Sequence, residues 1–251
     1  RAIQQRIATM TEFIRQDNDQ YVCGVSSARA LMTATLPIDI FNIYWKSIFV
    51  GDNIRLNKLL KTLTDSGYTH NTMVVSPGEH SRRGGILDIW PPADSFPTRV
   101  EFFGESIESM RRFDPSTQRS INKVNVLNIQ PGRETLPKNG PAAIPQLKEQ
   151  WSSVNNPNIV ADHQHDFELL STGSTFPELE YYIKWLHPDA GTLLDYLPNN
   201  SLIIVDNWQE FVLTVHEFEK QALNLRAEQI DSKSLPDNAP TPYASWSEIL
   251  D

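Results

Sequence analysis

Asp206 and Asn207 close an unbroken apolar run, Leu202-Ile203-Ile204-Val205. A buried strand that delivers an aspartate to its carboxyl end has the layout of a Walker B element. There the Asp helps to hold Mg²⁺ and a following acidic residue handles the attacking water. Here the following residue is Asn207, and the 251 residues contain no Gly-x-x-x-x-Gly-Lys-[Ser/Thr] loop to cradle phosphates. The segment reads as a degenerate relic, or as a plain buried strand ending in a turn, and no catalytic residue is assigned. His163, His165 and Asp166 form a small cluster, but a spacing of two on an irregular segment is a poor metal signature. No metal and no cofactor are expected. Cys23 follows Val22 in an expected short strand, where a buried core thiol is the default and no base is paired with it. Glu101, Glu105 and Glu108 could be imagined as catalytic carboxylates. Surface charge on a hairpin is the simpler reading, and such charge also discourages edge-to-edge strand pairing.

The chemistry that stands out is recognition. With Thr98–Phe103 as a strand, Val100 and Phe102 point one way and Arg99, Glu101 and Phe103 the other. A face holding Arg and Glu belongs to solvent in an antiparallel sheet. A Phe there either packs under a loop or helix or anchors a partner, and interface hot spots favour aromatic and Arg residues. Arg82-Arg83-Gly84-Gly85 is a single copy beside a strand, unlike the repeats of RNA-binding Arg-Gly tracts. It reads as a structural turn with one partner-binding Arg.

The elements that position these residues are short. The glycine pair suits a bulge or sharp turn before the strand Ile86–Trp90, and Pro91-Pro92 ends it because proline cannot donate to a ladder. Phe103-Gly104-Glu105 reads as a tight hairpin into Ser106–Phe113. There Ile107, Met110 and Phe113 are three apart, which calls for a bulge or a short strand. Further strands are expected at Thr72–Val75, Val124–Ile129, Tyr21–Val25 and, buried, Ser201–Asp206. Ile54–Ser66 is an amphipathic helix with Leu56, Leu59, Leu60 and Leu63 on one stripe, Asn53 as N-cap and Gly67 as stop. Other helices are expected over 1–16, from Ser27, near 145–154, over Glu178–His187 and Gln209–Ile230, and near Ser245, with Asn155–Ser174 irregular. The fold class is α/β of the α+β kind, a small antiparallel sheet with one helix.

Gly-Glu-x-x-x-Arg-Gly-Gly, Ile-Leu-Asp-Ile, Pro-x-Arg-x-Glu-Phe-Phe-Gly and Ile-Glu-Ser-x-Arg-x-Phe-Asp together resemble the second domain shared by two families. These are the bacterial transcription-repair coupling factors (Mfd) and the excinuclease component UvrB. Asp114-Pro-Ser-Thr-Gln-Arg-Ser and Leu194-Asp-Tyr-Leu-Pro198 favour the coupling factors. The resemblance implies an α+β domain over 43–136, flanked by parts of a degenerate helicase-like lobe at 1–42 and 137–251. It implies docking of the excinuclease component UvrA, with contact positions at Arg83, Arg99 and Phe103 and periphery at Arg82 and Glu101. RNA polymerase and DNA would be engaged only through other parts of a longer protein. The alternative is a fragment of UvrB with ATP-dependent DNA handling.

Whole-chain properties agree with a binding module. Net charge is −9, so no global basic field exists for nucleic acid. Residues 82–119 hold six Arg and six Asp or Glu, so the acid excess lies elsewhere. One cysteine rules out a disulfide framework and fits a reducing cytoplasm. No run approaches a membrane span. The chain opens with Arg inside an expected helix, which reads as a fragment of a longer protein.

Overall fold

The computed structural model describes residues 2–15, 22–154 and 157–250. It is mixed, 43% helix and 18% strand, of the α+β class. The chain divides into two compact units, one of residues 1–15 with 38–138 and one of 16–37 with 139–251.

The first unit holds all eight named strands of the described residues. β1 (Lys46–Phe49) pairs antiparallel with β8 (Val126–Ile129). A six-stranded sheet runs in the order β2 (Thr69–His70), β3 (Glu79–Arg83), β4 (Ile86–Ile89), β5 (Thr98–Phe103), β6 (Ser106–Phe113) and β7 (Ser120–Lys123). Only its β2–β3 pair is parallel. The expected strand at 72–75 is a turn region; pairing falls instead on 69–70 and 79–83. Leu59 and Leu63 of the helix Leu56–Asp65 pack with Leu87, Ile89, Val100, Ile107 and Met110 from one face of the large sheet. That helix starts two residues later than expected, capped by Arg55 without a side-chain bond, so Asn53 is not its N-cap. The helix Ala2–Ile14 buries Ile7, Met10 and Phe13, and its Arg6 pairs with Glu134 at 2.7 Å.

The second unit is helical. Gly140–Trp151, Pro157–Ser171 and Ile183–Leu186 enclose Leu147, Trp151, Phe167, Leu170, Tyr182 and Trp185. Of the region 155–174, read as irregular, residues 155–156 lie outside the described residues and Pro157–Ser171 is helix. Its inward stripe is Val160, His163, Phe167 and Leu170, and the histidine within it breaks the apolar pattern. Trp208–Asp231 is a long helix. The expected buried strand at 201–206 is not formed, and Leu202 and Ile204 are 83% and 82% exposed. A strand needs a hydrogen-bonded neighbour, and among the described residues of its unit none runs beside it. Residues 22–25 likewise form no strand, Tyr21 lies outside the described residues, and Cys23 is exposed rather than buried.

Candidate partner-binding face

Register decides which side chains share a face, because directly paired residues project to the same side of a sheet. Arg83 pairs with Ile86, Ile86 with Glu101 and Glu101 with Ser109. In the next row Ser81, Asp88, Arg99 and Arg111 are paired in turn. Alternation along β5 adds Phe103. Arg83, Arg99, Glu101 and Phe103 therefore lie on the sheet face opposite the Leu56–Asp65 helix. Arg82 alternates to the helix side, where its Nη1 donates to Asn57 Oδ1 at 3.0 Å.

The register shifts between Glu101 and Phe102, with Phe102 opposite Ile107 and Glu101 opposite Ser109. Glu108 is thus the extra residue of a bulge in β6, which leaves the alternation of β5 intact. This bulge is why Ile107 and Met110, three apart, are both buried. Two glycine turns end the same side of the sheet. Gly84 and Gly104 have φ of +62° and +64°, a region glycine enters without steric cost. At Gly85 a Cβ would lie 3.0 Å from the Phe102 carbonyl oxygen, so a larger residue there would crowd β5 and require it to give.

Phe103, beside the Gly104 turn, is 80% exposed. Neither the helix nor a loop covers it. Ile86 is also exposed on this face. Arg83 is exposed, and its Nη2 donates to the Thr72 carbonyl at 3.0 Å. Glu101 is held by Arg111 and accepts from Ser109 Oγ at 2.6 Å.

Arg99, expected as a contact position, has its fork engaged within the sheet. Its Nε and Nη2 donate to the two oxygens of Asp88 at 2.7 and 2.8 Å, and its guanidinium lies 4.7 Å over the Phe113 ring. These bonds to Asp88 hold the guanidinium still more firmly protonated than usual. Sequence reasoning passed over Asp88. Its signal was a charge between Leu87 and Ile89 at the parity that faces Arg99.

The other candidate groups do not gather into a reactive site. Tyr182 Oη donates to Asp166 Oδ2 at 2.7 Å and lies 2.7 Å from His163 Nδ1, against Trp151, while His165 is exposed. Glu105 pairs with Arg55 at 3.2 Å, and Glu108 is exposed in the bulge. Asn207 caps the Trp208–Asp231 helix, its Oδ1 accepting from Glu210 N at 3.3 Å. Among the described residues no group of three or more His, Cys, Asp and Glu is placed to hold a metal ion, and no helix is long and apolar enough to cross a membrane.

The segment bearing this face, residues 47–134, matches the UvrB interaction domain. The surrounding chain is similar to transcription-repair coupling factors. That of Bacillus subtilis is 31% identical over 236 residues, covering 90% of this chain and 20% of the relative. That of Escherichia coli K12 is 26% identical, covering 80% and 17%, and that of Myxococcus xanthus 33%, covering 57% and 12%. The chain thus spans about a fifth or less of the length of these curated relatives. Similarity of this extent to coupling factors does not favour the UvrB alternative.

Proposed function

We propose that the chain is a non-catalytic interaction module of a transcription-repair coupling factor, whose Phe103 face docks UvrA and recruits it to stalled RNA polymerase. The observation that carries this is the 80% exposed Phe103 on the sheet face opposite the helix, within a domain of an interaction family. Interface hot spots are enriched in aromatic and Arg residues, and this face carries Phe103 with the exposed Ile86 and Arg83. Arg83 on the same face supplies a cation beside this apolar centre, and Arg99 a second one of fixed orientation. Arg82, on the other side of the sheet, drops out of the contact set. RNA polymerase and DNA are engaged by other parts of the full protein, in the cytoplasm. In this reading residues 43–136 are the docking domain, and 1–42 and 137–251 belong to a degenerate helicase-like lobe. Titration calorimetry of the chain with purified UvrA tests the proposal. Saturable binding that Phe103→Ala removes is expected. Absence of binding, or equal binding by wild type and Phe103→Ala, overturns it.

A further inference from the structure

We propose that Asp88 is a positioning residue of the docking face, fixing the Arg99 guanidinium in the orientation in which UvrA meets it. This rests on the docking reading above.

Asp88 is only 4% exposed, in a strand whose neighbours Leu87 and Ile89 are in the core. A buried carboxylate is costly unless its oxygens are fully engaged. Both oxygens of Asp88 are taken by one guanidinium, in the two-bond geometry that Arg provides and Lys does not. The Phe113 ring closes one side of the guanidinium plane, and Gln118 Oε1 lies 3.4 Å from Nη2. Arg99 is thereby clamped to β4 through Asp88 and to β6 through Phe113. Among the described residues nothing bonds its Nη1.

A free arginine loses rotamer freedom when it docks; one already held flat does not, and preorganisation of this kind strengthens association. The same clamp ties β4 to β5 in the sheet from whose tip Phe103 projects. Asp88 would act on the partner through Arg99 without touching it.

The test measures Kd for UvrA, with a cooperative melt required of each variant. Asp88→Asn keeps the shape but loses the charge, and Arg99→Lys keeps the charge but loses the fork; each is expected to weaken binding about tenfold. Combining them should add little beyond either alone, since both remove one contact. A role in stability alone would lower the melting temperature and leave Kd unchanged. The Arg99 Nε–H proton should exchange slowly in wild type and rapidly in Asp88→Asn. Wild-type Kd in either folded variant, or fully additive effects, overturns the inference. Should Asp88→Asn not fold, Arg99→Lys decides alone, and full affinity there overturns it. Binding lost in Phe103→Ala but kept in both clamp variants refutes this inference and spares the docking reading. Absence of wild-type binding sinks both.

Discussion

Phe103 and its neighbour Phe102 show how one step along a strand separates an exposed ring from one that packs on the core. Phe103 is exposed, whereas Phe102 packs against the core and is half-buried. Truncating an interface anchor costs about 2 kcal/mol or more of binding, a loss beyond tenfold. Phe103→Ala should therefore lose micromolar affinity for UvrA while its melting temperature stays near wild type, because the ring leaves no cavity. The control belongs at Leu87, which is fully buried. Leu87→Ala should cost roughly 2–5 kcal/mol of stability. Thermal melts of both variants check this, and the reverse pattern would place the binding face on the other side of the sheet. Strand parity made Phe103 legible because alternation needs only the residue types. The Arg99–Asp88 clamp was only half legible: the charge of Asp88 between Leu87 and Ile89 marked the outward parity, but which residue of β4 stands opposite Arg99 is fixed by the register of the folded pair.

At the scale of elements, the sheet around β5 and β6 was readable because its turns carry Gly84-Gly85 and Gly104 and its strands alternate. The three-residue spacing in β6 even announced the bulge at Glu108. Leu202–Val205 misled for the complementary reason: apolar continuity signals a tendency to be buried, but pairing must be supplied by a neighbour. The 157–171 helix hid because His163 sits within its inward stripe, held by Tyr182. A second prediction belongs to the β2–β3 pair. His80 is 2% exposed, has no hydrogen-bond partner at either ring nitrogen and faces His70 at 5.2 Å between ring centroids. Burial, reinforced by His70, lowers its pKa to about 4. The folded form therefore resists the proton that the unfolded chain takes up near pH 6.5. Stability contributed by neutral His80 is present above that pH and is lost as pH falls towards 4. The shift corresponds to roughly 3 kcal/mol. Urea titrations at about pH 7 and about pH 5 should show the loss, and His80→Gln should lessen it. An equal pH dependence in the variant would show that other groups carry the acid sensitivity.

Over the whole molecule, net charge and the surroundings of Asp206 lead to two expectations that can be measured. Affinity for DNA is built by neutralising phosphates with clustered Lys and Arg, and the net charge here is −9. Fluorescence anisotropy with labelled duplex near physiological salt should detect no sub-micromolar binding; such binding would require a cationic surface that the composition does not suggest. ATP turnover is not expected either, on grounds of both sequence and structure. A phosphate loop motif is absent from the sequence, and Asp206 follows an exposed, unpaired run, so no sheet edge holds its carboxylate in place. The position where an ATPase needs an acidic residue is Asn207. Its backbone takes φ +51°, and its side chain is engaged by Glu210, accepting from the amide at 3.3 Å and donating to Oε2 at 2.9 Å. A residue committed to capping a helix cannot also orient an attacking water. Phosphate release by the purified chain should stay at background, with or without DNA, and Asp206→Ala should change nothing. Turnover that disappears in Asp206→Ala would mean that the run before it adopts a paired strand in the working protein and that the relic is alive.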